Sequence, residues 1–327
     1  SHTVLAQQTY TLDEDIVYGE DNPRSTDQAA AQNLFQWIEG DVTYLSRADG
    51  FANYEEATAG PSSYEMPEEY KAVYVNNSNY DPFAENDPSD VAPVMGEDNG
   101  LTMKDMYGLD YDDPLWEDML DQLTVEDMRY MISSGGYQGG AISHIGKVYT
   151  VDVDGPAGLS SFFNGNSGTA FPCATLIACT WNKDLAYERG SQIGQEAREL
   201  GVNGWYGPAM NIHRSAFSGR NFEYYSEDGM LTGYMAAAET KGAQDKGVYC
   251  YIKHFALNDL EQNRENQICV WSTEQAAREL YLKGFEMAVK EGGATAVMSA
   301  LNYIGTQWTG SCSALLNDLL PGEWGFQ

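Results

Sequence analysis

Gly219-Arg220-Asn221-Phe222-Glu223-Tyr224-Tyr225-Ser226-Glu227-Asp228 is the stretch on which the fold turns. It sits between two segments of strand character, residues 202–206 and 248–252. The second runs straight into Lys253-His254-Phe255, with Glu261-Gln262-Asn263-Arg264 close behind. The intervening 229–246 is an Ala- and Met-rich helical run stopped by Gly247. An apolar strand that finishes on a lysine and a histidine is unusual. Charge there costs free energy unless a partner or a polar ligand offsets it.

The same rhythm extends in both directions. Residues 147–153 alternate toward a strand that ends at Asp154-Gly155-Pro156. Asp184 is positioned to cap a helix whose Leu185, Arg189, Ile193, Ala197 and Leu200 fall on one side, with Gly201 as its stop. Ser272 with Gln275 reads as a capping box for a helix through Glu291, closed by Gly292-Gly293. A strand over 295–301 follows, and Ser313 opens a short last helix. Strand and helix thus alternate about four times, which predicts parallel strands joined by right-handed crossovers. A doubly wound sheet and a (β/α)8 barrel both satisfy that pattern. A barrel needs further units beyond Gln327, because four do not close one.

The first third is different in kind. Residues 1–113 hold 24 acidic side chains against 4 basic ones, within a chain of 327 residues and formal net charge −31. One helix-like piece, 27–38, spaces Ala30, Leu34 and Ile38 by fours. Residues 54–99 carry scattered Pro and Gly with no period, and read as a connector lying over another surface. From Pro114 the order improves, and Thr124-Val125-Glu126-Asp127 reads as a helix start. Nucleic acid and anionic membrane are poor partners for so acidic a chain. The hydrophobic fraction of 43% argues for a folded protein.

The five cysteines, Cys173, Cys179, Cys250, Cys269 and Cys312, are odd in number and match no zinc spacing. They read as free thiols, which favours a reducing, cytoplasmic compartment. With four histidines, a His-rich metal site is not expected, and no metal or cofactor is predicted. No apolar run is long enough to span a membrane, and no secretory signal is visible.

In barrels the site lies at the carboxyl ends of the strands. Those places hold Asp154, the loop from Asn211 to Asp228, Lys253 with His254, and Asn302. Each has a bland alternative. Asp154-Gly155-Pro156 alone is a turn signal. Arg220 with Glu223 is a loop ion pair in waiting. His213 reads as a loop or packing histidine. Together the set suits a neutral polyhydroxyl ligand, since Asp accepts from hydroxyls while Lys, Arg and His donate to them. Trp205, Tyr206, Phe222 and Tyr224 are available to stack on a sugar face or to fill the core. No glycine pattern for phosphate or dinucleotide binding follows a strand.

From about Leu123 to Phe326 the chain resembles the catalytic barrel of glycoside hydrolase family 3, the β-glucosidase type. The matching pieces, in the family's order, are Asp154-Gly155-Pro156-x-Gly158, Phe171-Pro172, Thr180-Trp181-Asn182, Gly194-x-Glu196-Ala197-Arg198, Gly219-Arg220-Asn221-Phe222-Glu223, Ser226-Glu227-Asp228, Lys253-His254-Phe255, Asn263-Arg264, Val297-Met298 and Glu323-Trp324-Gly325-Phe326. The run after Lys253-His254-Phe255 is Ala256-Leu257-Asn258, which favours the glucosidase-like branch over the hexosaminidase-like one.

The resemblance implies an α/β fold. Residues 114–327 would be the N-terminal and central part of a (β/α)8 TIM-type barrel, incomplete in this chain, and residues 1–113 an acidic connector packed on it. It implies a retaining, exo-acting β-glycosidase that takes terminal β-linked glucose, with no cofactor. Asp154, Arg220, Lys253 and His254 should bind hydroxyls of the cleaved sugar, and Met298 should line its pocket. The nucleophilic aspartate is expected after Gln327 and the acid/base outside the chain, so the chain expressed alone should be inactive. Residues 39–47 are similar to a segment before the barrel in members with permuted domain order, with the remaining domains of the parent chain upstream. In that arrangement Tyr44 and Tyr54 belong to a surface connector or approach the substrate mouth. Two departures touch the pocket: Leu301 stands where the family often has Tyr, and Ser160 where it often has Arg. They leave open a β-xyloside-type specificity and a non-catalytic carbohydrate-binding relative.

Overall fold

The structure, a computed structural model, describes residues 7–11, 45, 50–60, 63–75, 78–84, 86–161 and 163–327. The helix expected over 27–38, Tyr44, and the segment 39–47 apart from Leu45 lie outside the described residues.

The strand–helix rhythm yields a parallel sheet. Its strands are β1 (Gln138–Gly139), β2 (Thr150–Asp154), β3 (Gly204–Tyr206), β4 (Tyr249–Phe255) and, after the short β5 (Cys269–Val270), β6 (Ala296–Ser299). They lie in the order β1-β2-β3-β4-β6. The last four run parallel, and β1 is antiparallel on the outer edge. The sheet curls as a half-barrel of the TIM-barrel-like α/β type. Two further short strands, β7 (Tyr303–Ile304) and β8 (Gln307–Trp308), form a separate small sheet with β5.

Register explains which side chains face inward. Asp152 pairs with Gly204, Asp154 with Tyr206, and Trp205 with Cys250. Successive residues of a strand point to opposite faces. One face therefore carries Asp152, Asp154, Tyr249, Tyr251 and Lys253, joined to one another by hydrogen bonds. The other face carries Val153, Trp205 and Cys250, packed on Ile193, Ala197 and Ala243 of the helix layer. A larger cluster continues the core through Ile252, Phe255, Phe285, Leu315 and Trp324.

The helix layer holds α1 (Val125–Ser133), α2 (Lys183–Glu199), α3 (Gly229–Gln244) and α4 (Lys283–Lys290). The reciprocal capping box at Thr124 and Asp127 forms as expected, with both backbone N–H groups bonded. Two other caps are corrected. Asn182, not Asp184, accepts the N–H groups of Asp184 and Leu185 at the start of α2. Thr273, not Ser272, caps the helix that begins at Glu274, and that helix widens into a π-turn over Ala277–Tyr281. The buried stripe of α2 is Ala186, Arg189, Gly190, Ile193, Gly194 and Ala197. Leu185 and Leu200, placed on that side by spacing alone, are exposed at its two ends. Helices α2 and α3 meet at glycine: a Cβ on Gly190 would lie 2.0 Å from the Glu239 carbonyl oxygen.

The short helices Tyr54–Ala57 and Glu68–Val73 bury no residue. Tyr70, within the second of them, and Tyr74, just after it, meet the rest of the fold by aromatic contacts, Tyr70 on Trp271 and Tyr74 on Tyr303. A third cluster crosses Pro114, with Met106 and Leu109 packed against Met119, Ile142 and Ile145.

Candidate functional site

Strand β2 ends on Asp154, where the chain turns at Gly155. That glycine has φ +112°, and a Cβ there would lie 2.0 Å from the Gly158 carbonyl oxygen. The Gly155 N–H donates to Asp154 Oδ1 at 2.7 Å, so the turn itself aims the carboxylate. Lys253, only 2% exposed, reaches across from β4 and donates to the same oxygen at 2.5 Å. Burial, the largest single influence, works against ionisation of Asp154, but the Lys253 charge and the hydrogen bonds from Lys253, Gly155 and Tyr137 together hold the carboxyl below the usual carboxylate range.

The expectation for β4 was a strand over 248–252; it runs on through Phe255. Its pairing to β6 shifts register between Ile252 and Phe255. A bulge of this kind re-aims side chains. Lys253 reaches Asp154 while its neighbour His254 meets the loop that carries Arg220. Asn211 brackets the His254 backbone, accepting from its N–H at 2.8 Å and donating to its carbonyl at 2.9 Å.

The His254 ring is held at both nitrogens. Arg220 donates to Nε2 at 3.0 Å, so Nε2 is the acceptor and the proton sits on Nδ1. Nδ1–H then donates to the Tyr224 hydroxyl at 3.1 Å, and that hydroxyl donates onward to the Asn258 carbonyl. Burial first, then the charges of Lys253, Arg220 and Arg264, drives the imidazole well below its ordinary pKa. Arg220 is itself paired with Glu223 and lies 3.6 Å from Glu261, which also pairs with Arg264 at 2.6 Å.

Beside this network lies a cleft of about 400 Å³, within the range for small-ligand sites. Its walls include His254, Arg264, Met298, Leu301, Trp308 and the rings of Tyr206 and Tyr251. Of the five residues singled out in the sequence, His254 and Met298 line the cleft directly. Lys253, Asp154 and Arg220 are joined to His254 by chain adjacency and the contacts just given, so the set forms one connected group. The bland alternative for Arg220 is also present, because its Nε pairs with Glu223.

Of the four candidate aromatics, Trp205 and Tyr224 are fully buried core, Phe222 is 62% exposed, and Tyr206 lines the cleft. His213 braces the loop, its Nε2 within 2.8 Å of the Asn221 carbonyl. Asn302 is buried and donates to the Ala256 carbonyl at 3.1 Å.

Sequence patterning missed the tyrosine floor. Asp152 is buried and accepts from the hydroxyls of Tyr249 at 2.6 Å and Tyr251 at 3.0 Å. Burial, then the bond to Asp152, pushes Tyr249 up to about 12. Tyr251 stacks on Tyr206 at 4.1 Å. The available signal was the alternation Tyr249-Cys250-Tyr251-Ile252, which sets polar tips on one face. Among the described residues no group of three or more His, Cys, Asp or Glu side chains is arranged to hold a metal ion, and no helix is long and apolar enough to cross a membrane.

The cleft presents a cationic donor, a neutral imidazole and aromatic faces, and the Asp154 carboxylate joins it through Lys253, the chain neighbour of His254, a set suited to a polyhydroxyl ligand. Comparison with known proteins agrees in kind. Residues 138–327 match the N terminal domain of glycosyl hydrolase family 3. Beta-glucosidase A of Butyrivibrio fibrisolvens is 41% identical over 221 residues, 64% of this chain and 26% of that protein. Beta-glucosidase 3B from Thermotoga neapolitana, solved in complex with α-D-glucose, is 43% identical with a TM-score of 0.54, covering 58% of this chain and 27% of that one. A beta-glucosidase from Paenibacillus barengoltzii is 34% identical with a TM-score of 0.63, covering 72% and 27%. The chain thus spans about a quarter of the length of the relatives it matches.

Proposed function

The chain belongs to glycosyl hydrolase family 3, and from that premise we propose that it is the sugar-holding part of a retaining, exo-acting β-glucosidase. In this reading residues 114–327 are the N-terminal and central part of a (β/α)8 catalytic barrel, and residues 1–113 are an acidic connector packed on it. The remaining domains of the parent chain complete the site. The substrate is a β-glucoside or an oligosaccharide with terminal β-linked glucose.

Asp154 accepts hydrogen bonds from hydroxyls of the cleaved sugar, while Lys253, Arg220 and His254 contact its other hydroxyls and Met298 packs against the ring. None of these attacks the anomeric carbon, and we assign neither the nucleophile nor the acid to a residue of this chain. Their work is differential: hydrogen bonds to a charged acceptor that tighten as the sugar flattens toward an oxocarbenium ion lower the barrier. The observation that carries this reading is the Asp154 carboxylate, kept ionised by buried Lys253 at 2.5 Å beside a cleft walled by His254 and Met298.

The test is turnover of aryl β-glucosides and β-xylosides by the full-length protein and its Asp154→Ala variant, with NMR of the first-formed sugar. The expected result is faster glucoside turnover, β-glucose as first product, and strong loss in the variant. A first-formed α anomer refutes retention, and an unaffected variant removes the role given to Asp154. A preference for xylosides favours the xylosidase-type specificity, and no turnover at all favours a carbohydrate-binding relative.

A further inference from the structure

Asp154 spends its two oxygens unequally. Oδ1 accepts from Lys253 at 2.5 Å and from the Gly155 N–H at 2.7 Å. Among the described residues, Oδ2 accepts only from the Tyr137 hydroxyl, at 3.2 Å. A carboxylate oxygen has two good acceptor directions. Oδ1 is therefore full, and Oδ2 keeps one direction for a ligand. The Asp154 side chain is 31% exposed, so that direction is reachable. A hydroxyl that takes it arrives beside the Tyr137 oxygen. Because Tyr137 uses its proton on Asp154, its own lone pairs remain to accept from that hydroxyl or its neighbour.

Tyr137 is held for this place. It follows Gly135-Gly136 and sits at φ +56°, a left-handed backbone uncommon for a bulky residue. Its carbonyl accepts from the Asp152 N–H at 2.9 Å, and the next residue, Gln138, pairs with Val151. The antiparallel β1 therefore pins Tyr137 against the strand that ends in Asp154. Its ring lies 4.8 Å from Tyr206 and 5.1 Å from Phe163. Tyr206 and Tyr251 wall the cleft, and Tyr137 stands between Tyr206 and Phe163, which is 76% exposed. Burial, with Asp154 adding to it, pushes the Tyr137 hydroxyl up to about 12, so it remains a protonated donor at neutral pH.

We propose that Tyr137 is a specificity-determining residue of this site. Its hydroxyl shares Asp154 Oδ2 with one hydroxyl of the bound sugar, and its ring, between Phe163 and Tyr206, forms the outer wall of the sugar's pocket. This rests on the reading of the site as a sugar pocket, and it adds a residue from outside the parallel strands.

The experiment uses the full-length protein, wild type and Tyr137→Phe, which removes one oxygen and keeps the ring. Kinetics are measured on an aryl β-glucoside and on its monodeoxy analogues. Asp154→Asn identifies which hydroxyl Asp154 holds, as the one whose deletion then matters least. The expected result is a KM for the parent glucoside raised about tenfold to a hundredfold in Tyr137→Phe, the range for losing one hydrogen bond to a charged group, with kcat within about threefold. On the analogue lacking the hydroxyl held by Asp154, the effect of Tyr137→Phe shrinks to less than about twofold, because the shared bond is already gone. An unchanged KM, or an equal loss on every analogue, overturns the proposal, the second by marking a purely structural role. Wild-type turnover alongside either result leaves the glucosidase reading standing. A wild-type protein that turns over no β-glycoside overturns both.

Discussion

Two of this chain's ion pairs differ in how fully the protein itself takes up the carboxylate. Arg189 and Glu239 meet between helices α2 and α3, 3% and 0% exposed. One Arg189 nitrogen donates to both Glu239 oxygens at 2.7 and 2.8 Å, Tyr225 adds its hydroxyl, and the other terminal nitrogen takes the Pro156 carbonyl at 2.6 Å. Asp154 and Lys253 form a closer pair, yet among the described residues Asp154 Oδ2 has a single partner, the Tyr137 hydroxyl. Solvent access decides the electrostatics. For Glu239, burial outweighs Arg189 and pushes the carboxyl above its usual range. For Asp154, Lys253 and the hydrogen bonds from Gly155 and Tyr137 together outweigh burial and hold the carboxyl below it. The sealed pair serves the protein alone, and the open pair keeps capacity for something else. The two are also coupled, since the carbonyl Arg189 takes belongs to Pro156, in the turn that follows Asp154.

The comparison breaks most visibly at the sealed pair. Glu239→Ala leaves a buried, unpaired guanidinium, and the expected loss of stability is about 3–5 kcal/mol. Denaturant melts of the full-length protein measure it. The double variant Arg189→Met with Glu239→Leu should recover most of that loss, because replacing both charges removes the orphan. A Glu239→Ala protein as stable as wild type would show that the pair is not sealed.

The open pair should fail in the opposite way. Asp154→Asn keeps the shape and a hydrogen-bonding partner for Lys253 but removes the charged acceptor. The expected change is a fall in kcat/KM on the order of 10²–10³-fold, comparable to deleting one preorganised group from an active site, with a loss of stability smaller than that of Glu239→Ala because the Asn oxygen still accepts from the buried Lys253 ammonium. A variant that melts early and keeps its turnover per folded molecule would reverse the assignment of the two pairs.

Gly190→Ala probes the packing that closes the first pair. The added Cβ would meet the Glu239 carbonyl at 2.0 Å, so the helices must separate. Overpacking of this kind costs about 1–3 kcal/mol. A melt unchanged from wild type would mean that the helix crossing accommodates the methyl group without strain.

The two members of the open pair stood out singly in the sequence, because Lys253 interrupts an apolar strand and Asp154 opens a Gly-Pro turn, but their pairing did not. Both features are local. The sealed pair was not legible, because its partners lie fifty residues apart on two helices whose spacing alone reads as apolar stripes. Spacing also misjudged Leu185 and Leu200, which are 48% and 41% exposed while Ala186, Ile193 and Ala197 carry the buried side. The caps at Asn182 and Thr273 slipped because neighbouring residues of equal capping propensity stood within two positions, and only the backbone path chooses between them. Tyr137 carries no sequence signal beyond Gly-Gly before it. Its place follows from an antiparallel edge strand that the parallel rhythm does not announce.

The smallest expected effect concerns His254, the residue that joins the open pair to the Arg220 loop. Its Nε2 accepts from Arg220 and its Nδ1–H donates to Tyr224. A second proton would have to go on Nε2, where it would face the donors of Arg220. Burial and the surrounding cations already depress the ring well below its ordinary pKa. In the unfolded chain the same histidine takes its proton at about pH 6.5. Below that pH the unfolded state binds a proton that the native state refuses, so stability falls as pH drops and is fully present above it. The slope attributable to this residue is at most about one proton, roughly 1.4 kcal/mol per pH unit. Full-length wild type and His254→Gln are to be melted in denaturant from pH 7 to pH 5. The wild-type curve should lose stability more steeply, by up to about one proton, whatever the other titrating groups contribute to both. Parallel curves would mean that His254 accepts its proton in the folded protein, and that the neutral imidazole ascribed to this site is wrong.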